Sequence, residues 1–137
     1  MGEKSTTIRF INPATLATPT AGYTHVVEVK NGRMIFTAGQ VAFDKAGKLV
    51  GEGDFRAQTE QVFENLKAAL EAVGATFTDV IKLNYFITDA SDLLAIREIR
   101  DRHVNTNQPP ASTLVVVKRL AREEFLVEIE AIAVLSE

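Results

Sequence analysis

The sequence Leu-Val-Glu-Ile-Glu-Ala-Ile-Ala-Val, at positions 126–134, is the most apolar stretch of the chain, yet it contains two glutamates. Side chains of a β-strand alternate between its two faces, so Glu128 and Glu130 share one face while Val127 and Ile129 lie on the other. A carboxylate beside an apolar surface is costly unless donors or cations meet it. The strand therefore has either a solvated or hydrogen-bonded outer face, or a face that lines a pocket where a carboxylate handles protons or positions water.

Length and composition indicate a single globular domain that spans residues 1–137. Apolar residues make up 46% of the chain and charged residues 24%, which is an ordinary balance for a protein with a packed core. The chain has no cysteine, which excludes disulfides, thiolate catalysis and cysteine-ligated metals. Its two histidines, His25 and His103, lie far apart and show no metal-ligand spacing. We therefore expect neither a metal ion nor another cofactor.

Charge and hydropathy restrict the partners and the location of the protein. The net charge of −3 and the pI near 5.5 argue against a general nucleic-acid surface. No apolar run approaches the length of a membrane span, and residues 1–6 lack the apolar core of a signal peptide. We expect a cytoplasmic protein that binds neither nucleic acid nor membrane.

Hydrophobic periodicity and turn residues predict two helices and five or six strands in the order ββαβαββ. Asn31-Gly32 between two apolar runs is a strong hairpin signal. Gly74 stands where a glycine ends a helix, and Ser91 is a suitable N-cap for the second helix. The predicted strands are 26–29, 34–36, 80–87, 112–117 and 126–134, with a further short strand at 7–11, and the predicted helices are 54–73 and 91–105.

Apolar side chains occupy both faces of the predicted strands. Met34 and Phe36 share one face of their strand, and Ile35 lies on the other. In the strand after the first helix, Val80 and Phe86 are assigned to one face and further apolar residues to the other. A half-exposed sheet should alternate between apolar and polar residues, so both faces of this sheet must be buried. Two helices can cover one face, and the simplest cover for the second is another copy of the chain.

Three motifs identify a family resemblance that extends over essentially the whole chain. They are Thr37-Ala38-Gly39-Gln40, Pro110-Ala111-Ser112, and the terminal strand that ends at Val134. With the order of elements and the length, the chain resembles the Rid superfamily of reactive intermediate deaminases, also known as YjgF or L-PSP. The resemblance implies an α+β, chorismate-mutase-like fold with two helices on one face of the sheet. It also implies a homotrimer with three clefts between subunits.

The resemblance assigns roles to three residues. Tyr23 matches a tyrosine of the family site, and Glu128 matches the glutamate that orients the hydrolytic water. In the deaminating branch an arginine follows Pro-Ala and clamps the substrate carboxylate with two hydrogen bonds, which suits guanidinium geometry. Ser112 stands at that position here. The resemblance therefore implies a divergent member that retains two site residues and lacks the carboxylate-binding arginine.

Three further residues are candidates for substrate binding. Arg97 matches a polar position of the second helix that is often asparagine in the family, and only it or a neighbouring subunit could replace the missing charge. The alternative for Arg97 is a solvated helix face that it shares with other charged residues. Gly39 and Gln40 either present a backbone N–H or an amide to the pocket, or serve a tight exit from the strand.

Three functions remain open for the chain. The leading interpretation is a hydrolase or deaminase that acts on an imine-like or enamine-like metabolite in the clefts between subunits, and not on standard 2-imino acids. The second is a trimer that binds a small molecule in the same cleft without catalysis. Cleavage of RNA, which the endoribonuclease activity assigned within the family also suggests, is disfavoured because the chain is acidic and lacks the aromatic and basic patterns of RNA binding.

Overall fold

Two α-helices and six strands follow one another in the order βββαβαββ in the computed structural model, which describes residues 5–137. Part of the N-terminal segment on which the cytoplasmic expectation depends lies outside the described residues. The order confirms the prediction and includes the additional N-terminal strand. The elements are β1 (Thr7–Ile11), β2 (Val26–Lys30), β3 (Arg33–Phe36), α1 (Phe55–Glu71), β4 (Val80–Ile87), α2 (Leu93–Asp101), β5 (Ala111–Val116) and β6 (Val127–Leu135).

The main sheet has four strands in the order β3-β6-β4-β5, and β1 and β2 form a separate antiparallel ribbon. Within the main sheet β6 is antiparallel to both of its neighbours, while β4 and β5 are parallel. A parallel pair needs a long crossover connection, and α2 lies within it. In this strand order β5 is an edge strand, and the glutamate-bearing β6 lies between β3 and β4.

The hairpin prediction at Asn31-Gly32 is only partly right. Asn31 does turn the chain, with a left-handed φ of 56°, but β2 pairs with β1 and β3 pairs with β6. Gly32 lies so close to β6 that a β-carbon there would stand 2.6 Å from a methyl carbon of Val134. Instead of pairing with each other across the turn, β2 and β3 therefore each pair with a different strand.

The core lies between the two helices and one face of the sheet. On β6 the residues Val127, Ile129, Ala131 and Ala133 are buried, as the alternation predicts. Gln58 of α1 is also fully buried, and its amide donates to the Glu124 carbonyl while its oxygen accepts the Leu126 N–H. These hydrogen bonds fix the entry into β6. Phe63, Leu66, Ile96 and Ile99 complete the helical side of the core.

The helix termini confirm one sequence prediction and correct another. Asp54 caps α1 through the Ala57 N–H, and Gly74 adopts a left-handed φ of +78° just after the helix, as predicted. Ser91 is not an N-cap, because its N–H and its hydroxyl both donate to the Asp89 carboxylate in a short 3-10 turn. α2 then begins two residues later, at Leu93, and ends at Asp101, before the predicted end at Asn105.

The sheet face away from the helices is apolar and uncovered in the described chain. Met34 and Phe36 of β3 are 50% and 69% exposed there. A bulge between Val80 and Lys82 shifts the alternation of β4, so Val80 is buried and Phe86 is not. The prediction that these two share a face is therefore wrong. We call this surface the helix-free face; it contains Met34, Phe36, Phe86, Glu128, Glu130 and Ile132.

Candidate functional site

A cavity of about 320 Å³ opens beside α2 and the edge strand β5. Three of the predicted site residues line it together: Tyr23, Arg97 and Ser112. They come from a loop, a helix and a strand that are far apart in sequence. The remaining lining residues are Ala21, Tyr85, Leu93, Ile96, Arg100 and Leu114.

Tyr23 is placed in the cavity by its neighbour Thr24. The Thr24 hydroxyl donates to the Pro109 carbonyl at 2.6 Å, and the Thr24 N–H donates to the Pro110 carbonyl at 3.3 Å. Both carbonyls immediately precede β5. On the other side, the His25 ring meets the Tyr23 ring edge to face at 5.3 Å. The loop is therefore fastened to the start of the strand that carries Ser112.

The walls of the cavity combine apolar packing with hydrogen-bond donors. Ser112 is half-buried on the same side of β5 as Leu114, and Leu93 and Ile96 of α2 face them across the cavity. Arg97 is exposed but borders the same space. Such a site can hold a small molecule that has an apolar part and a polar or anionic group.

Two cavity residues, Tyr85 and Arg100, were not among the predicted site residues. The Tyr85 side chain is 3% exposed, and its hydroxyl has no hydrogen-bond partner in the described part of the chain. Burial raises the pKa of Tyr85 well above its usual range, so the phenol stays neutral. The Arg100 guanidinium donates to the Ala21 carbonyl at 2.9 Å and pairs with Asp101 at 2.9 Å. The sequence did contain one signal for Arg100, since it follows Ile96 by four residues and thus shares its side of the helix.

The other three predicted residues, Gly39, Gln40 and Glu128, form a second group, in which the segment after β3 lies beside Glu128 of β6. The Thr37 N–H donates to the Ala131 carbonyl at 3.0 Å, and the Gln40 N–H donates to the Ile129 carbonyl at 2.8 Å. Residues 37–40 therefore span the same length as residues 129–131 of β6. The segment has one residue more than its partner, so residues 38 and 39 bulge outward. We call residues 37–40 together with Glu128 the carboxylate loop.

Gly39 lets the Glu128 carboxylate lie against the backbone of this loop. A β-carbon at position 39 would stand 2.5 Å from a carboxylate oxygen of Glu128, so a larger residue would displace it. Within the described residues, the N–H groups of Ala38 and Gly39 have no acceptor. The loop thus places free backbone donors beside a carboxylate, an arrangement that suits the positioning of water or a developing negative charge.

The two groups lie on opposite faces of the sheet within one chain. Glu128 pairs with Phe86 of β4, and both belong to the helix-free face. The adjacent residue Tyr85 points to the opposite face, into the cavity. A single chain therefore brings Tyr23, Arg97 and Ser112 together, and separately Gly39, Gln40 and Glu128, but does not join the two groups.

Residues 5–137 contain no cluster of three or more histidine, aspartate or glutamate side chains that could hold a metal ion. Over the same range, none of the helices has the length and apolar character needed to span a membrane.

Comparison with known proteins gives a consistent result. A profile of the family described as endoribonuclease L-PSP matches residues 14–135. Protein DfrA of Myxococcus xanthus is 42% identical over 112 residues, which cover 82% of this chain and 84% of the relative. A 2-iminobutanoate/2-iminopropanoate deaminase of Dermatophagoides farinae is 31% identical over 127 residues, or 93% of this chain and 96% of that protein.

A solved structure agrees with the family match. The crystal structure of YyfB, a protein of the conserved Rid family from Yersinia pestis, is similar with a TM-score of 0.82 and 39% sequence identity. The similarity covers 93% of this chain and 98% of that chain. The α+β arrangement, with two helices on one face of the sheet, is thus that of the Rid structures.

Proposed function

This chain belongs to the endoribonuclease L-PSP family, the Rid or YjgF superfamily, and on that premise we propose that it is a hydrolase that deaminates a small reactive metabolite with a C=N group or its enamine form. The Dermatophagoides farinae relative, by its name, deaminates 2-iminobutanoate and 2-iminopropanoate. The proposal for this chain differs from that activity in its substrate, because of the residue at position 112. We place the reaction in the cytosol and assign it no nucleic-acid partner, since the chain is acidic.

The observation that carries this proposal is the position of Glu128 beside the bulged loop. A half-exposed carboxylate lies against glycine, next to unused backbone N–H groups. A purely structural glutamate on a central strand would be expected to have a cation or donor as partner, and no ion pair to Glu128 is found among the described residues. The carboxylate is therefore available for a water molecule.

We propose that the site is completed between subunits of a homotrimer. The cavity holds Tyr23 and Ser112 on one side of the sheet, while Glu128 lies on the other. The exposed apolar residues around Glu128, Met34 and Phe36 among them, support burial of this face against another copy. In such an assembly the carboxylate loop of one subunit would face the cavity of its neighbour.

The chemistry is hydrolysis of an imine. The Glu128 carboxylate accepts a proton from water as the water oxygen bonds to the imine carbon, and it passes this proton to the nitrogen, which gives a carbinolamine and leaves Glu128 ionised. Glu128 then accepts the carbinolamine O–H proton as the carbonyl forms and transfers it to the nitrogen, and the C–N bond breaks so that ammonia leaves. Tyr23 and Gln40 would orient the substrate, and the Ala38 and Gly39 N–H groups would stabilise negative charge.

Ser112 is the reason to separate this protein from the deaminases of small 2-imino acids. A serine hydroxyl forms one neutral hydrogen bond to a carboxylate, whereas an arginine forms two that are charge-assisted. The loss of a charge-assisted hydrogen bond costs about 1.5–3 kcal/mol, or roughly tenfold to a hundredfold in binding. Arg97 also borders the cavity, and it is the predicted site residue whose positive charge could replace that of the missing arginine.

A second candidate function is a binding trimer without catalysis. It is favoured by the completeness of the cavity within one chain, since a ligand could bind there without contact with Glu128. Calorimetry with a panel of imines, stable ketone analogues and small acids, together with ammonia release from the same samples, separates the two functions. Ammonia release that is lost when Glu128 is changed supports the hydrolase. Saturable binding without release supports the binder.

A further inference from the structure

The lining of the cavity contains polar groups that the proposed reaction does not use. Tyr85 and Arg100 both line it, and the Tyr85 hydroxyl is buried without a hydrogen-bond partner among the described residues. An unpaired buried hydroxyl destabilises a fold unless something else satisfies it. Because Tyr85 lines the cavity, a polar group of a ligand bound there is one partner that can satisfy this hydroxyl.

Arg100 is held rigidly in the same wall. Its side chain is only 11% exposed, and it donates to the Ala21 carbonyl and to Asp101. Gly22, with a left-handed φ of +72°, packs so closely that a β-carbon there would stand 2.5 Å from the guanidinium. The loop that positions Tyr23 therefore also fixes Arg100, and a rigid guanidinium loses little freedom when it binds an anion.

The charged residues that line the cavity indicate whether its ligand is positively or negatively charged. Of the described residues that line it, two are arginines and none is acidic. Asp101, which is not among the lining residues, pairs with Arg100 and offsets part of its charge, and Arg97 adds a second positive charge to the lining. A negatively charged group therefore fits the Tyr85 and Arg100 side of the cavity.

The position of Tyr85 sets the spacing within the ligand. Ser112 pairs with Leu83, and Leu114 pairs with Tyr85, so Tyr85 lies two residues further along the sheet than Ser112. Two residues of strand correspond to about 7 Å. Leu93, Ile96 and Leu114 supply apolar walls to the same cavity. A ligand that spans this distance has several carbons between its reactive end and its anionic end.

We infer that Tyr85 and Arg100 form a subsite for the anionic group of a substrate whose carboxylate is separated from the reactive carbon by an apolar chain. This inference rests on the proposed function, because it assumes that the reactive end lies beside Tyr23 and Ser112. It names a substrate class, an imine or enamine with a distal carboxylate. In a 2-imino acid the carboxylate is instead attached to the reactive carbon.

Binding of simple carboxylates tests the subsite without any turnover. We would titrate acetate, butanoate, hexanoate and hexanamide into the assembled protein and its variants by calorimetry. Affinity should rise from acetate to hexanoate because the apolar walls are progressively filled, and hexanamide should bind about tenfold more weakly than hexanoate because it has no charge. Tyr85→Phe, which removes only the hydroxyl, should weaken hexanoate binding about fivefold to tenfold. Equal binding of acetate and hexanoate, or of hexanoate to wild type and Tyr85→Phe, overturns the inference.

Thermal unfolding distinguishes a ligand subsite from a structural hydroxyl. Because the Tyr85 hydroxyl has no partner in the described chain, Tyr85→Phe should leave Tm unchanged or raise it while it weakens hexanoate binding. A lowered Tm together with lost binding would assign the hydroxyl a structural role and overturn the inference. Arg100→Gln should also weaken hexanoate binding, and Arg9→Gln is its matched control, since Arg9 is an exposed arginine of β1 paired with Glu28. An equal loss of binding in these two variants would likewise count against the subsite.

The outcome for the subsite is independent of the outcome for catalysis. Glu130→Gln should bind hexanoate as wild type does, because Glu130 lies opposite Asn84 on the helix-free face and has no part in the proposed site. Hexanoate binding that depends on Tyr85, in a protein that releases no ammonia from any imine, would support the subsite and reject the hydrolase. Ammonia release without this hexanoate binding would reject the subsite and retain the hydrolase.

Discussion

The cavity beside α2 and the carboxylate loop on β6 differ in how much of a site one chain supplies. The cavity is enclosed by residues of a single chain, with apolar walls, two arginines and an unpaired phenol. The carboxylate loop has one acidic group and free backbone donors on a face surrounded by exposed apolar residues. The cavity has the features of a binding pocket. The carboxylate loop has groups that could act in catalysis, but they lie on an open surface. On our proposal, one chain therefore supplies the binding cavity, and catalysis requires the assembly.

Loss of the assembly is the largest effect that this comparison predicts. Phe36 is 69% exposed on the helix-free face, our proposed interface, and Phe36→Asp would bury an unpaired carboxylate there, at a cost of several kcal/mol. We expect wild type to have three times the 15.0 kDa mass of the chain in light scattering, and the variant to dissociate. Leu94→Asp is the matched control, since Leu94 is 67% exposed but lies on α2. A monomeric wild type, or a Phe36→Asp protein as well assembled as the control, would contradict the prediction.

The next effect concerns the two glutamates of β6. Glu128→Gln keeps the shape of the side chain and removes its charge, and we expect turnover of an identified imine to fall about tenfold to a hundredfold. Glu130→Gln makes the same change two residues away on the same face, opposite Asn84 rather than beside Gly39. Turnover of this control should be close to wild type. If the two variants behaved alike, Glu128 would have no special role and the binder would be favoured.

A smaller effect is expected when a positively charged side chain is introduced at position 112. Wild type should hydrolyse small 2-imino acids poorly, and Ser112→Arg should gain about tenfold to a hundredfold in this activity. Ser112→Lys adds the same charge without the planar fork and should gain less. The rates can be measured with a dehydratase that releases the imines in situ. Wild-type rates as high as those of an arginine-bearing relative would mean that Arg97, Arg100 or a neighbouring subunit already binds the carboxylate.

The sequence predicted most of the fold because its patterns are local. The alternation along β6 correctly assigned Val127 and Ile129 to the core, and Gly74 correctly marked the end of α1. The errors have non-local causes. The pairing of β3 with β6 replaced the expected hairpin at Asn31-Gly32, and a single bulge after Val80 reversed the faces of β4.

The sequence predicted a list of candidate site residues but not their arrangement. Motif positions selected Tyr23, Arg97 and Ser112 among the six candidates, and these three line one cavity. They did not indicate that Glu128 lies across the sheet, because this depends on the order β6-β4-β5. The burial of Arg100 could not be predicted from its helix alone, because it depends on the loop at Gly22, which is distant in sequence and packs against the guanidinium.

The central claim, that Glu128 of one subunit meets the cavity of another, can be tested by cross-linking. The chain has no cysteine, so a variant with both Glu128→Cys and Ser112→Cys carries only the two introduced thiols. A short bismaleimide should link this variant into covalent dimers and trimers on a denaturing gel, while each single-cysteine variant stays monomeric. Because the two positions lie on opposite faces of the sheet, they should not be linked within one chain. A double variant that stays monomeric on the gel, with both thiols consumed, would contradict the account.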